Sequence, residues 1–188
     1  MYVVPSLKVV YLAQPRTASR ACARILKEEW GCNPLGTGGH HAYQPKKVEE
    51  YKAVGYKVIV AVRNHYDIIV SWYHHNPRWF DKNRPEMRFW AFAKAFPTHS
   101  LNTYVRPSQM YWGYQRIATH IIRYENLWDD FEEALGVPIP RDRLEVIGKS
   151  DRKPYREYYE EDTAVQHGTR EFIAEYYAEE MERYGYTW

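Results

Sequence analysis

The order of apolar and polar positions along the chain predicts strands that alternate with helices. Three short runs rich in valine, isoleucine and tyrosine are apolar at nearly every position, which is typical of strands buried on both faces of a parallel sheet. Each run leads into a turn and then into a segment whose apolar residues have helical spacing. The pattern therefore predicts an α/β fold with a central, mainly parallel sheet flanked by helices. The predicted strands are Lys8–Ala13, Tyr56–Val62 and His120–Tyr124.

Helical spacing is clearest directly after the first predicted strand. There Cys22, Ile25, Leu26 and Trp30 fall on one face of a helix that Gly31 is placed to end. Further helices are predicted at 46–54, at 86–95 and at 125–135. The turn 63–67 is predicted to lead into another helix, which carries Ile68, Ile69, Trp72 and Tyr73.

The last predicted helix runs from Asp162 to Tyr184 as one element, although Gly168 weakens its first half. Its acidic residues are expected to form a solvated face, because its apolar positions keep a helical register. The residues expected on its inner face are Val165, Phe172, Ile173 and Tyr176.

Length and composition are those of an ordinary globular chain. The 188 residues are 45% hydrophobic and 27% charged, which predicts a single domain over 1–188 with an irregular insert at 74–116. The longest apolar runs are far below the roughly 18 residues of a membrane span, and no signal-peptide pattern opens the chain. We therefore expect a cytoplasmic protein, although a lumenal enzyme trimmed to its soluble domain would share these features.

Charge is distributed unevenly. The net charge is only +2, yet residues 1–80 hold 11 Lys/Arg against 5 Asp/Glu, whereas residues 151–188 hold 5 against 10. This gradient suggests an anionic ligand on the N-terminal half. Two cysteines exclude a disulfide framework and a four-cysteine zinc site, and no metal-ligand set is visible.

The loop Gln14–Arg20 joins the first predicted strand to its helix. Such a loop presents unpaired backbone N–H groups and the positive end of a helix dipole, which stabilise an anion. Arg16 and Arg20 add charge, and Thr17 and Ser19 add hydroxyl donors suited to phosphate or sulfate. The alternative is that a hydroxyl caps the helix while the arginines are solvated. A Walker A motif is absent, which argues against a P-loop kinase.

Arg63 lies at the carboxyl end of the second predicted strand, the edge at which α/β sheets bind ligands, and Ser71 follows eight residues later. The run Val62–Tyr73 closely resembles the 3′-phosphate-binding segment of sulfotransferases, usually seen as V-R-N-P-x-D-x-x-V-S-x-Y. His65 stands where proline is usual, and the arginine and serine are intact.

Three further segments resemble the same family in the expected order. Gln14–Arg20 resembles its 5′-phosphosulfate loop, Arg123–Leu127 its R-Y-E-D-L element, and Lys149–Tyr159 its C-terminal segment. The resemblance is nearest to the carbohydrate-type, Golgi-like branch.

The resemblance implies a P-loop-like domain that transfers a sulfuryl group, without a metal, from 3′-phosphoadenosine 5′-phosphosulfate (PAPS) to an acceptor hydroxyl or amine. Arg16 is implied to act on the 5′-phosphosulfate and stabilise the leaving group, Arg63 with Ser71 to hold the 3′-phosphate, and a basic pair to close over the nucleotide. The nucleotide-binding residues so implied are Arg16, Thr17, Ala18, Ser19, Arg20, Arg63, Ser71, Arg152 and Lys153.

A general base must deprotonate an acceptor hydroxyl, and histidine is the side chain best matched to neutral pH. His41 fits the position of the family's catalytic histidine better than His40 does. His74 and His75 are further candidates; otherwise they are cations favourably placed at a helix C-terminus.

The insert is rich in aromatic residues on which a carbohydrate or small-molecule acceptor could stack. We expect Phe89, Phe92 and Trp112 to be core residues instead. The full set is Trp79, Phe80, Phe89, Trp90, Phe92, Tyr104, Tyr111, Trp112 and Tyr114.

Two other functions compete with sulfuryl transfer. One is a degenerate family member that binds the nucleotide without transfer. The other is a domain that binds single-stranded nucleic acid through basic and aromatic residues. Against the second, the basic residues cluster at two strand-to-helix turns rather than along a stripe, so no nucleic-acid partner is expected.

Overall fold

The computed structural model describes residues 1–35, 44–75, 88–97, 113–141 and 152–188. In this part of the chain a four-stranded sheet has the order β1-β2-β3-β4. β1 pairs with β2 in antiparallel register, while β2 with β3 and β3 with β4 are parallel. The strands are β1 (Tyr2–Val4), β2 (Val9–Leu12), β3 (Lys57–Val62) and β4 (His120–Arg123).

Helices follow each parallel strand, which confirms the predicted α/β class with a mainly parallel sheet. One-turn 3₁₀ helices at Pro5–Leu7 and Tyr124–Asn126 supplement them, and residues 113–117 are also helical. The α-helices are α1 (Ser19–Trp30), α2 (Pro45–Ala53), α3 (His65–His75), α4 (Phe89–Ala95), α5 (Leu127–Leu135), α6 (Tyr155–Tyr159), α7 (Asp162–Gln166), α8 (Thr169–Tyr176) and α9 (Ala178–Tyr184).

The chain divides into two compact units. The first, here the sheet unit, comprises Met1–Arg63 and Met110–Lys149, and it holds the whole described sheet with α1, α2 and α5. The second, here the helical unit, comprises Asn64–Gln109 and Ser150–Trp188. Its described elements are all helices. One domain over 1–188 stays a prediction.

The core of the sheet unit is mainly aliphatic and lies on both faces of the sheet. Alternation along each strand sends one set of side chains towards α1 and α5, and the other towards α2 and Tyr114. Each fully buried valine or isoleucine stabilises the fold by about 1.5–3 kcal/mol. The first set includes Ile59, Ala61 and Ile122, packed with Ile25 and Phe131; the second includes Val10, Leu12, Val58 and Val60, packed with Val48.

The core of the helical unit is aromatic. The Tyr159 ring meets the rings of Tyr66, Phe89 and Trp188 edge to face, with centroids 5.1, 4.8 and 5.5 Å apart. The Tyr159 hydroxyl also donates a hydrogen bond to the Tyr66 carbonyl at 3.2 Å. Buried tyrosines of this kind contribute a large buried apolar surface, and their hydroxyl groups form hydrogen bonds.

The prediction of one helix from Asp162 to Tyr184 is wrong. The segment forms α7, α8 and α9, because Gly168 adopts a left-handed conformation with φ of 55° and the backbone leaves helical geometry again at Tyr177. The breaks change the direction of the apolar side chains: Ile173 is fully buried, but Val165 is 61% and Tyr176 43% exposed. Among the described residues, no helix has the length and apolar character that a membrane crossing requires.

Candidate functional site

The β2–α1 loop, residues 13–18, has an unusual backbone. Arg16 and Ala18 both have positive φ, 64° and 56°, a region that costs a non-glycine residue roughly 1–2 kcal/mol. The buried Thr17 hydroxyl donates to the Gln14 carbonyl at 2.9 Å, and the Gln14 N–H donates to Leu12 at 2.8 Å. These internal hydrogen bonds hold the strained loop in one conformation.

The start of α1 corrects one alternative drawn from the sequence. The N-cap residue is Ala18, and no side chain caps the helix through a hydrogen bond. Thr17 therefore supports the loop, and Ser19 is the first helical residue instead of the cap. The Ala21 N–H donates to the Ala18 carbonyl at 2.9 Å. N–H groups at the start of a helix are also suited to bind an anion.

Arg63 joins this loop to the next crossover. Its side chain leaves the carboxyl end of β3, is only 7% exposed, and donates from Nη1 to the Arg16 carbonyl at 2.8 Å. The guanidinium carbon lies 3.9 Å from the centroid of the Tyr124 ring, a close cation–π contact. Because Tyr124 follows β4, the contacts of Arg63 connect the carboxyl ends of three adjacent parallel strands.

The predicted residues of the loop differ in exposure. Arg20 is exposed, Arg16 is half-buried, and Ser19 and Thr17 are buried.

Tyr124 is a site residue to which the sequence patterns assign no role. The signal that could have found it is its place as the last residue of the third predicted strand, at the same edge of the sheet as Arg63.

In the helical unit, the predicted basic pair is held by carboxylates. Arg152 forms an ion pair with Asp67 in the first turn of α3, and Lys153 pairs with Glu161 at 2.7 Å. Ser71, on α3, is buried. Asp67 was missed as a partner, because nothing in the local pattern links residues 85 positions apart.

His65, which stands where the resemblance has proline, is the first residue of α3. Its ring stacks on Tyr177 with centroids 4.3 Å apart, and burial lowers its pKa to about 4, so it is neutral at pH 7. The Asn64 side chain accepts from the Tyr66 N–H at 3.0 Å and donates to the Thr187 carbonyl at 3.1 Å. This asparagine turn starts the helix without the proline.

Comparison with known protein families decides the family. Residues 40–137, more than half of the chain, match the family described as the sulfotransferase domain. The chain belongs to the sulfotransferase family. No curated protein and no solved structure gives a significant match.

The match to the sulfotransferase domain covers the segments around Arg63, Ser71 and Tyr124. It confirms the family expected from the sequence. The β2–α1 loop and Arg152 lie outside the matched residues, and the carbohydrate-type branch stays a prediction.

The structure describes two of the four histidines predicted as candidate bases of this sulfotransferase. His40 and His41 lie outside the described residues. His74 and His75 are exposed in the last turn of α3. The pKa of His74 is lowered, first by desolvation and then by the charges of Arg152 and Lys153, so the unprotonated ring is favoured near neutral pH.

The aromatic residues divide as follows. Phe89 and Phe92 are buried in the helical unit, as predicted, and Trp90 is half-buried with its ring stacked 3.7 Å from that of His167. Tyr114 is fully buried in the core of the sheet unit, which corrects its expected place on an acceptor surface. Trp79, Phe80, Tyr104, Tyr111 and Trp112 lie outside the described residues.

Cysteine and metal chemistry add little to the site. Cys22 and Cys32 are both buried free thiols, and burial raises the pKa of Cys22 to about 12, so it stays protonated. In the described ranges, no three His, Cys, Asp or Glu side chains form a group that could hold a metal ion.

Proposed function

We propose that this sulfotransferase transfers a sulfuryl group from PAPS to a hydroxyl or amine group of a carbohydrate or small-molecule acceptor. The observation that carries the proposal is the partly buried hydrogen bond from Arg63 Nη1 to the Arg16 carbonyl, 2.8 Å long. It joins the two strand-to-helix turns that the family resemblance assigns to the two phosphate groups of the nucleotide.

The residues present fit a nucleotide with phosphates at both ends. A guanidinium offers planar, forked donors that match phosphate oxygens, and Arg63 holds that group in one orientation against Tyr124. Arg16 and the positive end of α1 lie on the adjacent turn, where negative charge is stabilised by the dipole and by backbone N–H groups. Ser71, Arg152 and Lys153, in the helical unit, are proposed as further nucleotide ligands on the family resemblance.

When bound, PAPS supplies an activated sulfuryl group attached to a phosphate leaving group. Such a transfer needs in-line alignment and stabilisation of charge on the departing phosphate. In the proposal, Arg16 and the first N–H groups of α1 provide that stabilisation. Arginine at this position binds two oxygens at once but gives up a proton less readily than lysine would.

A base must accept the proton of the acceptor hydroxyl. We propose His41 for this role, with His40 as the second candidate, on the family resemblance of that segment. The His41→Ala variant should lose transfer while it retains nucleotide binding. Unchanged turnover in that variant would move the base to another residue.

The proposal is tested by following labelled sulfate from PAPS to a panel of sugars, phenols and peptides. We expect transfer by the wild type, loss in Arg63→Ala, and retention in the control Arg141→Ala, an exposed arginine of the same unit. Nucleotide binding without transfer to any acceptor would indicate a degenerate binder. Absence of both binding and transfer would overturn the proposal.

A further inference from the structure

The ion pair between Asp67 and Arg152 differs from an ordinary surface pair. Arg152 Nη2 donates to Asp67 Oδ1, and the two side chains are only 12% and 15% exposed. Exposed ion pairs contribute little because both side chains stay mobile and solvated. A pair this well buried holds the guanidinium in a defined orientation instead.

Among the described residues, the pair engages only part of the hydrogen-bonding capacity of Arg152. A guanidinium carries five N–H donors. In the part of the chain that the structure describes, Asp67 is the hydrogen-bond partner of Arg152 and no second one is found. The group is therefore oriented by one nitrogen while others can reach a ligand.

A second basic side chain, Lys153, adjoins Arg152 in the sequence. Lys153 Nζ lies 4.7 Å from the centroid of the Tyr158 ring, and the pKa of His74 is lowered first by desolvation and then by the charges of both basic residues. Lys153 pairs with Glu161, but those side chains are 38% and 43% exposed, so that pair is weak and easily redirected. Lys153 can therefore add a second positive charge beside Arg152.

We propose that Asp67 is a positioning residue of the nucleotide site: its carboxylate holds Arg152 so that the remaining donors are presented to a phosphate group. This inference rests on the proposed function. Arginine has many rotamers, and ordering them upon binding weakens affinity. A side chain that is already oriented avoids that loss.

A double-mutant cycle separates this role from a structural one. The binding of 3′-phosphoadenosine 5′-phosphate (PAP) is measured by calorimetry for the wild type, Asp67→Asn, Arg152→Gln and the double variant. We expect about a tenfold loss of affinity in each single variant, and no further loss when Asp67→Asn is added to Arg152→Gln. Glu161→Gln, which removes the exposed partner of Lys153, should change affinity less than twofold.

Asp67→Glu is the control for a folding defect, because it keeps the negative charge and shifts the carboxylate by one methylene. Its affinity should lie between those of the wild type and Asp67→Asn, with thermal unfolding close to the wild type. The inference is wrong if Asp67→Asn binds PAP as well as or more tightly than the wild type, or still loses affinity beside Arg152→Gln. If the wild type itself does not bind PAP, the result would instead contradict the proposed function.

Discussion

The two units of the molecule are stabilised by different kinds of core. The sheet unit is built around aliphatic side chains of β2, β3 and β4 packed under α1, α2 and α5. The helical unit depends on aromatic rings that meet edge to face, and polar atoms are enclosed among them: the Tyr159 hydroxyl donates to a carbonyl, and the His65 ring lies on Tyr177.

This difference has a consequence for pH. Two titratable side chains that are fully buried in the sheet unit, Tyr11 and Cys22, have pKa values raised mainly by desolvation and stay uncharged well above neutrality. In the helical unit, His65 is the one buried histidine among the described residues, and its pKa is lowered. Mild acid should therefore act on the helical core through His65.

The largest effect is expected in the aliphatic core. Phe131 is fully buried on α5, and its ring lies 5.6 Å from that of Tyr11. Phe131→Ala should lower the free energy of unfolding by about 3–5 kcal/mol, because it removes apolar contacts and leaves a cavity. Urea denaturation followed by circular dichroism measures this. A loss below about 1 kcal/mol, the size expected of the matched Phe131→Leu change, would show that this core is loosely packed.

Acid should destabilise the helical unit through His65. In the unfolded chain this imidazole takes up a proton near its ordinary pKa of 6.5, whereas in the fold it does so only near pH 4. Between these values the unfolded state binds more protons, so the free energy of unfolding falls as the pH decreases. Between pH 7 and pH 4, this difference in proton binding lowers the free energy of unfolding by roughly 3 kcal/mol in total.

His65→Phe is the matched variant for this titration, since it keeps a ring to stack on Tyr177 and cannot be protonated. The free energy of unfolding is measured by denaturation at several pH values from 7 to 4. It should fall less with decreasing pH in the variant than in the wild type. Equal pH dependence in the two proteins would mean that His65 is accessible to protons in the fold.

The smallest effect is expected at the turn between α7 and α8. Gly168 has φ of 55°, and a Cβ there would meet only Glu171 Oε2 at 3.9 Å, so the penalty is backbone strain and not a clash. Gly168→Ala should cost about 1 kcal/mol, and Gly168→Asn clearly less, because asparagine tolerates this conformation. Stabilisation by alanine, measured by thermal unfolding, would indicate that one continuous helix is accessible.

The three parallel strands, β2, β3 and β4, were predictable from sequence to within one residue at each end, because each is a local apolar run flanked by turns. β1 was missed: an antiparallel edge strand of three residues is defined by its pairing with β2 and has too few positions to show a period. The break of the final helix was missed for the opposite reason. Its apolar period continues across Gly168 although the backbone does not.

The candidate site was only partly predictable. Arg63 could be located, since the carboxyl end of a buried strand is the ligand edge of an α/β sheet. Its bond to the Arg16 carbonyl and the Asp67–Arg152 pair join residues 47 and 85 positions apart, and no local pattern carries that information. The neutral, stacked state of His65 likewise depends on Tyr177, far along the chain.

The most direct test of the central claim is calorimetry of PAP and of AMP, which lacks the 3′-phosphate, with the wild type and Arg63→Ala. We expect the wild type to bind PAP more tightly than AMP. Loss of a charge-assisted hydrogen bond should weaken PAP binding by about 1.5–3 kcal/mol in the variant, roughly tenfold to a hundredfold, with little change for AMP. Equal affinity of the wild type for both nucleotides, or unchanged PAP binding by Arg63→Ala, would contradict the account.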